Sequence, residues 1–132
     1  ELGLIDSLPS LVAVQGASVH PLYKIIHKRT VQGESLLADA LRVENPPRLY
    51  EMRKAIEETH GTVVVVNDSD IREGLREALR NGFMIEPSSA TVFSALRKLV
   101  ENKYIDRGSK VVLILTGSGL KVVDKIYEAT DI

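Results

Sequence analysis

The sequence predicts an α/β fold in which a mainly parallel sheet is covered by helices on both sides, a three-layer αβα arrangement. Three apolar runs lack the alternation of a half-exposed strand and therefore predict buried strands: LVAVQ (11–15), TVVVV (62–66) and VVLILT (111–116). The segments between them carry apolar residues at helical spacing. Because strands that alternate with helices usually form parallel sheets, we expect a single domain spanning residues 1–132.

The helices are predicted from their caps and their apolar spacing. Asn67 is a suitable N-cap residue, Pro87 suits a first helical turn, and Gly82 suits a helix end. FMIE (83–86) is expected to form a short strand. The stripe expected to face the core in the helix after Pro87 consists of Val92, Ala95, Leu96, Leu99 and Val100. In chain order, the predicted helices are PLYKIIHKR (21–29), a short helix around 36–41, RLYEMRKAIEETHG (48–61), and the segments 67–81, 87–100 and 120–129.

Composition excludes several classes of function. The formal net charge is −1, with basic and acidic residues interleaved, so neither nucleic acid nor an anionic membrane is an expected partner. Cysteine is absent, which excludes disulfides and a cysteine nucleophile and fits a cytoplasmic protein. No apolar run approaches the roughly 20 residues that a membrane-spanning helix needs.

Two segments stand where ligands bind in parallel α/β sheets, at the turn from a strand into a helix. They are Glu-Pro-Ser-Ser (86–89) and Thr-Gly-Ser-Gly (116–119). Both would lie on the same edge of a parallel sheet. For either segment alone, the ordinary alternative is that Ser88 caps a helix and the glycines merely permit a tight turn.

The glycine turn does not meet the requirements of two common phosphate-binding motifs. A P-loop needs Gly-Lys-Ser/Thr, but Lys121 lies between Leu120 and Val122. A dinucleotide fingerprint needs a third glycine where Val122 stands, and an acidic residue beyond a second strand. What remains is the hydroxyl of Thr116 at a strand end, beside two glycines that allow a flat ligand to approach the backbone.

Other polar residues do not predict a catalytic or metal site. The histidines lack a third ligand at matching spacing, so we expect surface or capping roles for them. The acidic residues stand at a helix start, which the macrodipole favours. Ser118 has no histidine placed with it, so nucleophilic catalysis is not expected. The histidines and acidic residues concerned are His20, His27, His60, Asp68, Asp70 and Glu73.

Four stretches of the chain, in order, resemble one enzyme family. GFMIEPSSATVFSALRKLVENKYI (82–105), followed by VVLILTGSGLK (111–121), resembles the C-terminal part of threonine synthase. LPSLVAVQGASVHPLYK (8–24) and LADALRVENPPRLYEMRKAI (37–56) resemble further segments of the same family. Threonine synthases are pyridoxal-phosphate enzymes with the tryptophan-synthase-β-like fold. The resemblance therefore implies part of the large domain of a fold-type II enzyme.

The resemblance also implies cofactor-binding residues. Thr116 matches the residue whose hydroxyl meets the pyridine nitrogen of pyridoxal phosphate, and a neutral hydroxyl would moderate electron withdrawal. Gly117 and Gly119 would bring backbone near the ring edge, and Glu86 would lie close to the same pocket. Ser88 and Ser89 are expected to cap the helix, with a supporting role behind the cofactor contacts as the other option.

Two parts of the family's active site have no counterpart here. The lysine that forms the Schiff base and the glycine-rich phosphate loop lie upstream in the family, and nothing before Leu11 supplies either. We therefore expect a C-terminal portion without a catalytic residue or a metal, inactive alone and without bound cofactor. Its partner would be the N-terminal remainder of the enzyme, and a homo-oligomer is also possible by this resemblance.

The resemblance implies that the whole enzyme would convert O-phosphohomoserine and water to threonine and phosphate. There are two alternatives. The chain could be a fragment of a related dehydratase or β-replacement enzyme, or a non-catalytic binding or scaffold module that keeps the fold.

Overall fold

The computed structural model describes residue 3 and residues 5–130, and its sheet consists of two parallel strands. Strand β1 (Val12–Gly16) pairs with β2 (Thr62–Val66), and Val14 lies opposite Val64. The predicted parallel pairing of the first two apolar runs is confirmed, and β2 has the predicted bounds. Five consecutive residues with β-branched side chains make that run a strong strand signal.

Within the described residues, five α-helices connect and cover the strands. Asn67 and Asp70 form a reciprocal capping box, each side chain accepting the other residue's backbone N–H at 2.9 Å, and this fixes the start of the third helix. Among the residues that the structure describes, none of the helices has the length and apolarity that crossing a membrane requires. The helices are α1 (Pro21–His27), α2 (Leu49–Glu58), α3 (Asp68–Arg80), α4 (Pro87–Glu101) and α5 (Val123–Thr130), with short 3-10 helices at Asp39–Leu41 and Gly119–Val122.

The two faces of β2 are buried against different helices. Val63 packs with Leu22 of α1 and Ile56 of α2. Val66, on the other face, joins a larger cluster that includes Leu75 of α3 and residues of α4 and α5. Helices on both faces of a sheet make three layers, so the predicted αβα architecture is confirmed.

Helices α3 and α4 approach each other closely at Gly74. A Cβ at this position would collide with the backbone carbonyl of Ala90 and with the hydroxyl of Ser94. The Ser94 hydroxyl donates to the carbonyl oxygen of Asp70, so a polar contact accompanies the apolar one. Glycine is therefore required here by the distance between the helices.

The prediction that residues 111–116 form a buried sheet strand is wrong. The segment is extended, but no backbone hydrogen bond joins it to a strand within the described residues. Leu113 and Leu115 pack on the larger cluster, whereas Val112 is 87% exposed and Ile114 71% exposed. A strand needs a neighbour for its N–H and C=O groups, and the apolar run itself does not provide one. FMIE likewise forms only one antiparallel bridge, between Ile85 and Ser118.

The stripe predicted for α4 is only partly correct. Ala95 and Leu99 are buried, but Val92, Leu96 and Val100 are only half-buried. Leu96 and Val100 line an open cavity of about 460 Å³ beside the connection that follows the helix. At its closest approach to α3, the helix places the small residues Ala90 and Ser94 against Gly74.

Candidate functional site

The two segments singled out by sequence lie side by side. The backbone N–H of Glu86 donates to the carbonyl oxygen of Gly117 at 3.1 Å, and the N–H of Gly119 donates to the carbonyl oxygen of Met84 at 3.0 Å. These bonds join the chain entering α4 to the Thr-Gly-Ser-Gly turn. The two segments are adjacent, as predicted, but not at an edge of the parallel sheet, because neither the segment before α4 nor residues 111–116 pair with β1 or β2.

Ser89 links the two segments through its side chain. Its hydroxyl oxygen lies 3.0 Å from Oγ1 of Thr116 and accepts the backbone N–H of Gly117 at 2.8 Å. Ser89 is 1% exposed, whereas Thr116 is exposed, so both contacts are only partly buried. The sequence analysis kept a supporting role as the other option for Ser89, but it did not identify Thr116 as the partner, because the two residues are 27 positions apart.

The expectation that Ser88 and Ser89 cap α4 is wrong. The N-cap residue is Glu86, which makes no side-chain capping bond, and Pro87 occupies the first turn. Both serines lie inside the helix and are buried. Proline tolerates the first turn because its missing N–H would have no intrahelical partner there, so the helix begins two residues earlier than it would with Ser88 as the N-cap.

Glu86 is held by a lysine that sequence reasoning did not assign to the site. Nζ of Lys121 lies 2.7 Å from Oε2 of Glu86. The glutamate side chain is 15% exposed and the lysine side chain 64% exposed, so the pair lies at the surface edge of the site. The lysine thus offsets the charge of the carboxylate at this edge.

The two glycines of the turn make room for protein atoms. A Cβ on Gly117 would collide with the carboxylate of Glu86, and a Cβ on Gly119 would press on Ile126 and on the carbonyl of Ile85. Each glycine thus has a packing reason that does not involve a ligand. Their contact with a cofactor ring stays a prediction.

The sequence predicted that Thr116 ends a buried strand, and this prediction is wrong. It is exposed at the end of the extended segment 111–116, and the site is open on that side in the described part of the chain. Exposure lets a ligand reach the hydroxyl directly. Chemically, the site offers a neutral hydroxyl beside a paired carboxylate, which suits an uncharged heteroaromatic nitrogen.

No group of three or more metal-binding side chains occurs within residues 5–130 or at residue 3. His20 is buried instead of lying on the surface, and its ring joins the carbonyl oxygen of Ala17 to the N–H of Val31. Asp68 accepts two backbone N–H groups, those of Leu36 and Leu37. The polar residues dismissed as metal ligands thus have structural partners.

Comparisons with known proteins agree with these motifs. The profile of the family described as "Pyridoxal-phosphate dependent enzyme" matches residues 2–117. The chain is 32% identical to the threonine synthase of Methanocaldococcus jannaschii over 135 residues, which cover 98% of the chain and 33% of that protein. It is 34% identical to the threonine synthase of Methanosarcina acetivorans, covering 98% and 34%, and 31% identical to that of Mycobacterium tuberculosis, covering 94% and 34%.

The chain thus spans about a third of the length of the curated relatives it matches. The resemblance to threonine synthases found in its motifs is confirmed, and pyridoxal phosphate is the cofactor of the complete enzyme. With its parallel sheet, its three layers and its two adjoining site segments, the chain belongs to the family of pyridoxal-phosphate dependent enzymes.

Proposed function

We propose that this chain is the C-terminal portion of a threonine synthase, which uses pyridoxal phosphate to convert O-phosphohomoserine and water to threonine and phosphate. The observation that carries this assignment is the exposed Thr116 hydroxyl within Thr-Gly-Ser-Gly-Leu-Lys, backed by the buried hydroxyl of Ser89 at 3.0 Å. The similarity to threonine synthases over nearly the whole chain supports the choice of reaction.

The residues present fit the cofactor's ring. Thr116 would hold the pyridine nitrogen with a neutral hydrogen bond, and Glu86 would stand near the ring while Lys121 neutralises its charge at 2.7 Å. Gly117 and Gly119 would line the ring edge with backbone. When bound, pyridoxal phosphate supplies the electron withdrawal that the reaction needs, and the hydroxyl at Thr116 keeps that withdrawal moderate.

The isolated chain is proposed to be inactive. The phosphate loop and the lysine that the family uses to hold the cofactor have no counterpart among the segments of this sequence. Both would come from the N-terminal remainder of the enzyme, which is therefore the proposed partner. The absence of cysteine agrees with a reducing compartment such as the cytoplasm.

A direct test compares the full-length protein that contains this chain with the chain alone. We expect the full-length protein, supplied with pyridoxal phosphate, to release phosphate and form threonine from O-phosphohomoserine. We expect the chain alone to give no turnover and, after borohydride reduction, no stoichiometric cofactor adduct by mass spectrometry. Turnover together with one labelled lysine in the isolated chain would contradict the assignment to a portion of the enzyme.

The substrate is tested separately. If the full-length protein does not convert O-phosphohomoserine but deaminates serine or threonine, it belongs to the related dehydratases. Full-length protein that exchanges a substituent on a serine derivative would belong to the β-replacement enzymes. A full-length protein that binds no pyridoxal phosphate would be a non-catalytic module with the same fold.

A further inference from the structure

Residues 31–37, called the strap from here on, cross the carboxyl ends of both strands. A Cβ added to Gly33 would lie 3.4 Å from Cβ of Ala17, the residue directly after β1. The same atom would lie 3.6 Å from Cβ of Asn67, the residue directly after β2. The strap therefore covers the edge of the sheet at which ligands bind in parallel α/β folds.

One set of hydrogen bonds joins the strap to the chain after β1. The backbone N–H of Ser18 donates to Oγ of Ser35 at 3.0 Å, and the N–H of Ser35 donates to Oγ of Ser18 at 2.8 Å. Ser35 is 0% exposed, and its hydroxyl occupies the space that a side chain on Gly16 would need. The N–H of Val31 donates to Nε2 of His20 at 3.2 Å. The strap thus occupies polar groups of this edge that a ligand would otherwise meet.

A second set joins the strap to Asp68, the first residue of α3. The carboxylate of Asp68 accepts the N–H of Leu36 at 3.1 Å and the N–H of Leu37 at 2.9 Å. The backbone N–H of Asp68 donates to the carbonyl oxygen of Glu34 at 2.8 Å. A single aspartate therefore makes three of the bonds that hold the strap closed.

Apart from these bonds, the strap has little that holds it. Within this described segment, Ser35 is the one buried residue; Val31 and Leu37 are half-buried, and the other four residues are exposed. The segment forms neither helix nor strand. A segment with few buried apolar contacts opens at a lower free energy than the core does. The attachments to the two strand ends therefore decide whether this edge is covered.

We propose that the strap opens as one unit while the sheet and the helices stay folded, and that it thereby controls access to the carboxyl edge of β1 and β2. The attachments are linked because they hold one short stretch of backbone. When Asp68 releases Leu36 and Leu37, the adjoining Ser35 is free to leave Ser18. Opening then uncovers the Ser18 N–H and the Asp68 carboxylate at the edge. The strap acts on this edge whichever reaction the complete enzyme performs.

Hydrogen exchange of the full-length protein, followed by mass spectrometry of overlapping peptides, tests the inference. The reporter amides are those of Ser18, Val31 and Ser35, because none of them bonds to Asp68. In the wild type we expect the three reporter amides to share one protection factor. That factor should be smaller than the protection factor of the β2 amides, whose exchange requires the core to unfold.

Asp68→Ala tests whether the attachments form one unit. The two strap amides that bond to Asp68 lose their acceptors in this variant, so their faster exchange decides nothing. The reporter amides keep their own acceptors. We nevertheless expect all three to exchange about tenfold faster or more, since the bonds that are lost end on a charged group. The β2 amides should keep their exchange rate, because the sheet stays folded.

Two further variants complete the test. Asp39 follows the strap closely, but its carboxylate pairs with Lys125 at 2.9 Å instead of holding a strap amide. Asp39→Ala is therefore the matched control, and it should leave the three reporter amides unchanged. Ser35→Ala is the reciprocal variant. It removes the acceptor of the Ser18 N–H and should speed exchange at Leu36 and Leu37, whose own acceptor remains.

Three results would overturn the inference. If the reporter amides of the wild type exchange no faster than the β2 amides, the strap opens only when the whole protein unfolds. If Asp68→Ala leaves the reporter amides unchanged, the attachments are independent and the strap is not one unit. If Asp68→Ala and Ser35→Ala both speed the β2 amides by the same factor as the strap amides, the variants lower global stability and no separate opening exists.

Discussion

The carboxylate of Glu86 lies between Lys121, whose Nζ is 2.7 Å away, and the bare Cα of Gly117. The ion pair and the missing side chain belong together, because a Cβ on Gly117 would occupy the position of the carboxylate. The segment before α4 and the turn at residues 116–119 are thereby locked in one arrangement.

Gly117→Ala should therefore depend on Glu86. In the wild-type background we expect a loss of about 1 kcal/mol in the free energy of unfolding, since the carboxylate must move away from Lys121. In a Glu86→Ala background the same substitution should be neutral or slightly stabilising, because Gly117 does not have a positive φ and alanine restricts the unfolded chain. Urea unfolding of the four proteins gives the coupling energy. Equal costs in both backgrounds would contradict the clash.

Thr116→Val should affect both stability and cofactor binding. The buried hydroxyl of Ser89 would lose its hydrogen bond with Thr116, which costs about 1–3 kcal/mol, although valine suits the extended backbone. In the full-length protein, loss of the bond to the ring nitrogen should reduce cofactor affinity or turnover about tenfold or more.

Ser118→Ala is the matched control for that substitution. The Ser118 hydroxyl accepts the N–H of Leu120 at 3.2 Å and only caps a short 3-10 helix. Its removal should cost about 0.5–1 kcal/mol and leave cofactor titrations unchanged. If Thr116→Val left cofactor affinity and turnover unchanged while Ser118→Ala reduced them, the ring contact would not lie at Thr116.

The ion pair between Asp39 and Lys125 should make a small, pH-dependent contribution. The hydrogen bond from Lys125, at 2.9 Å, lowers the pKa of Asp39 below its ordinary value of 3.8. A lowered pKa in the folded state stabilises the protein above the unfolded pKa, and this gain is lost as the pH falls through the folded value. Because the Asp39 side chain is 69% exposed, the gain should stay below about 1 kcal/mol.

Lys125→Met provides the measurement. The difference in unfolding free energy between this variant and the wild type should be constant near neutral pH and shrink below about pH 4. Lys110→Met removes an exposed lysine that forms no ion pair with the described residues, and it should show no such change. A difference that persists at low pH would assign the effect to packing of the Lys125 stem.

The exposed side of residues 111–115 should make the isolated chain self-associate. Val112 and Ile114 present apolar side chains next to backbone groups that lack a strand partner in the described structure. Ile114→Lys should lower the weight-average mass in sedimentation, with a change in unfolding free energy within about 0.5 kcal/mol. Tyr50→Lys changes a side chain of α2 that is 75% exposed, and it should leave the mass unchanged. An unaltered mass for Ile114→Lys would exclude this edge as the contact.

The local sequence was sufficient to predict secondary structure where interactions between near neighbours in the chain determine it. The β-branched run at 62–66 and the capping pair Asn67 and Asp70 were predictable because their signals lie within a few residues. Residues 111–116 were mispredicted because pairing depends on a neighbouring strand that no local pattern specifies.

The candidate site was predictable only in part for the same reason. Thr116 and Glu86 could be named from motifs, but their partners Ser89 and Lys121 depend on how two distant segments meet. The motif Glu-Pro-Ser-Ser-Ala contains the serine, yet its place at the predicted start of the helix suggested a cap, whereas it lies inside the helix. Nothing in the spacing indicated that its hydroxyl would point across to the glycine turn.

The close crossing of α3 and α4 at Gly74 determines where the first turn of α4 lies in the site. Ala90, whose carbonyl rests against Gly74, follows Ser89 in α4, so the packing between two helices sets the position of the hydroxyl behind Thr116. Any side chain at position 74 would force α4 outward and carry Ser89 with it. A single methyl group added at Gly74 would thus displace a hydroxyl on the far side of the helix, at a position fifteen residues away in sequence.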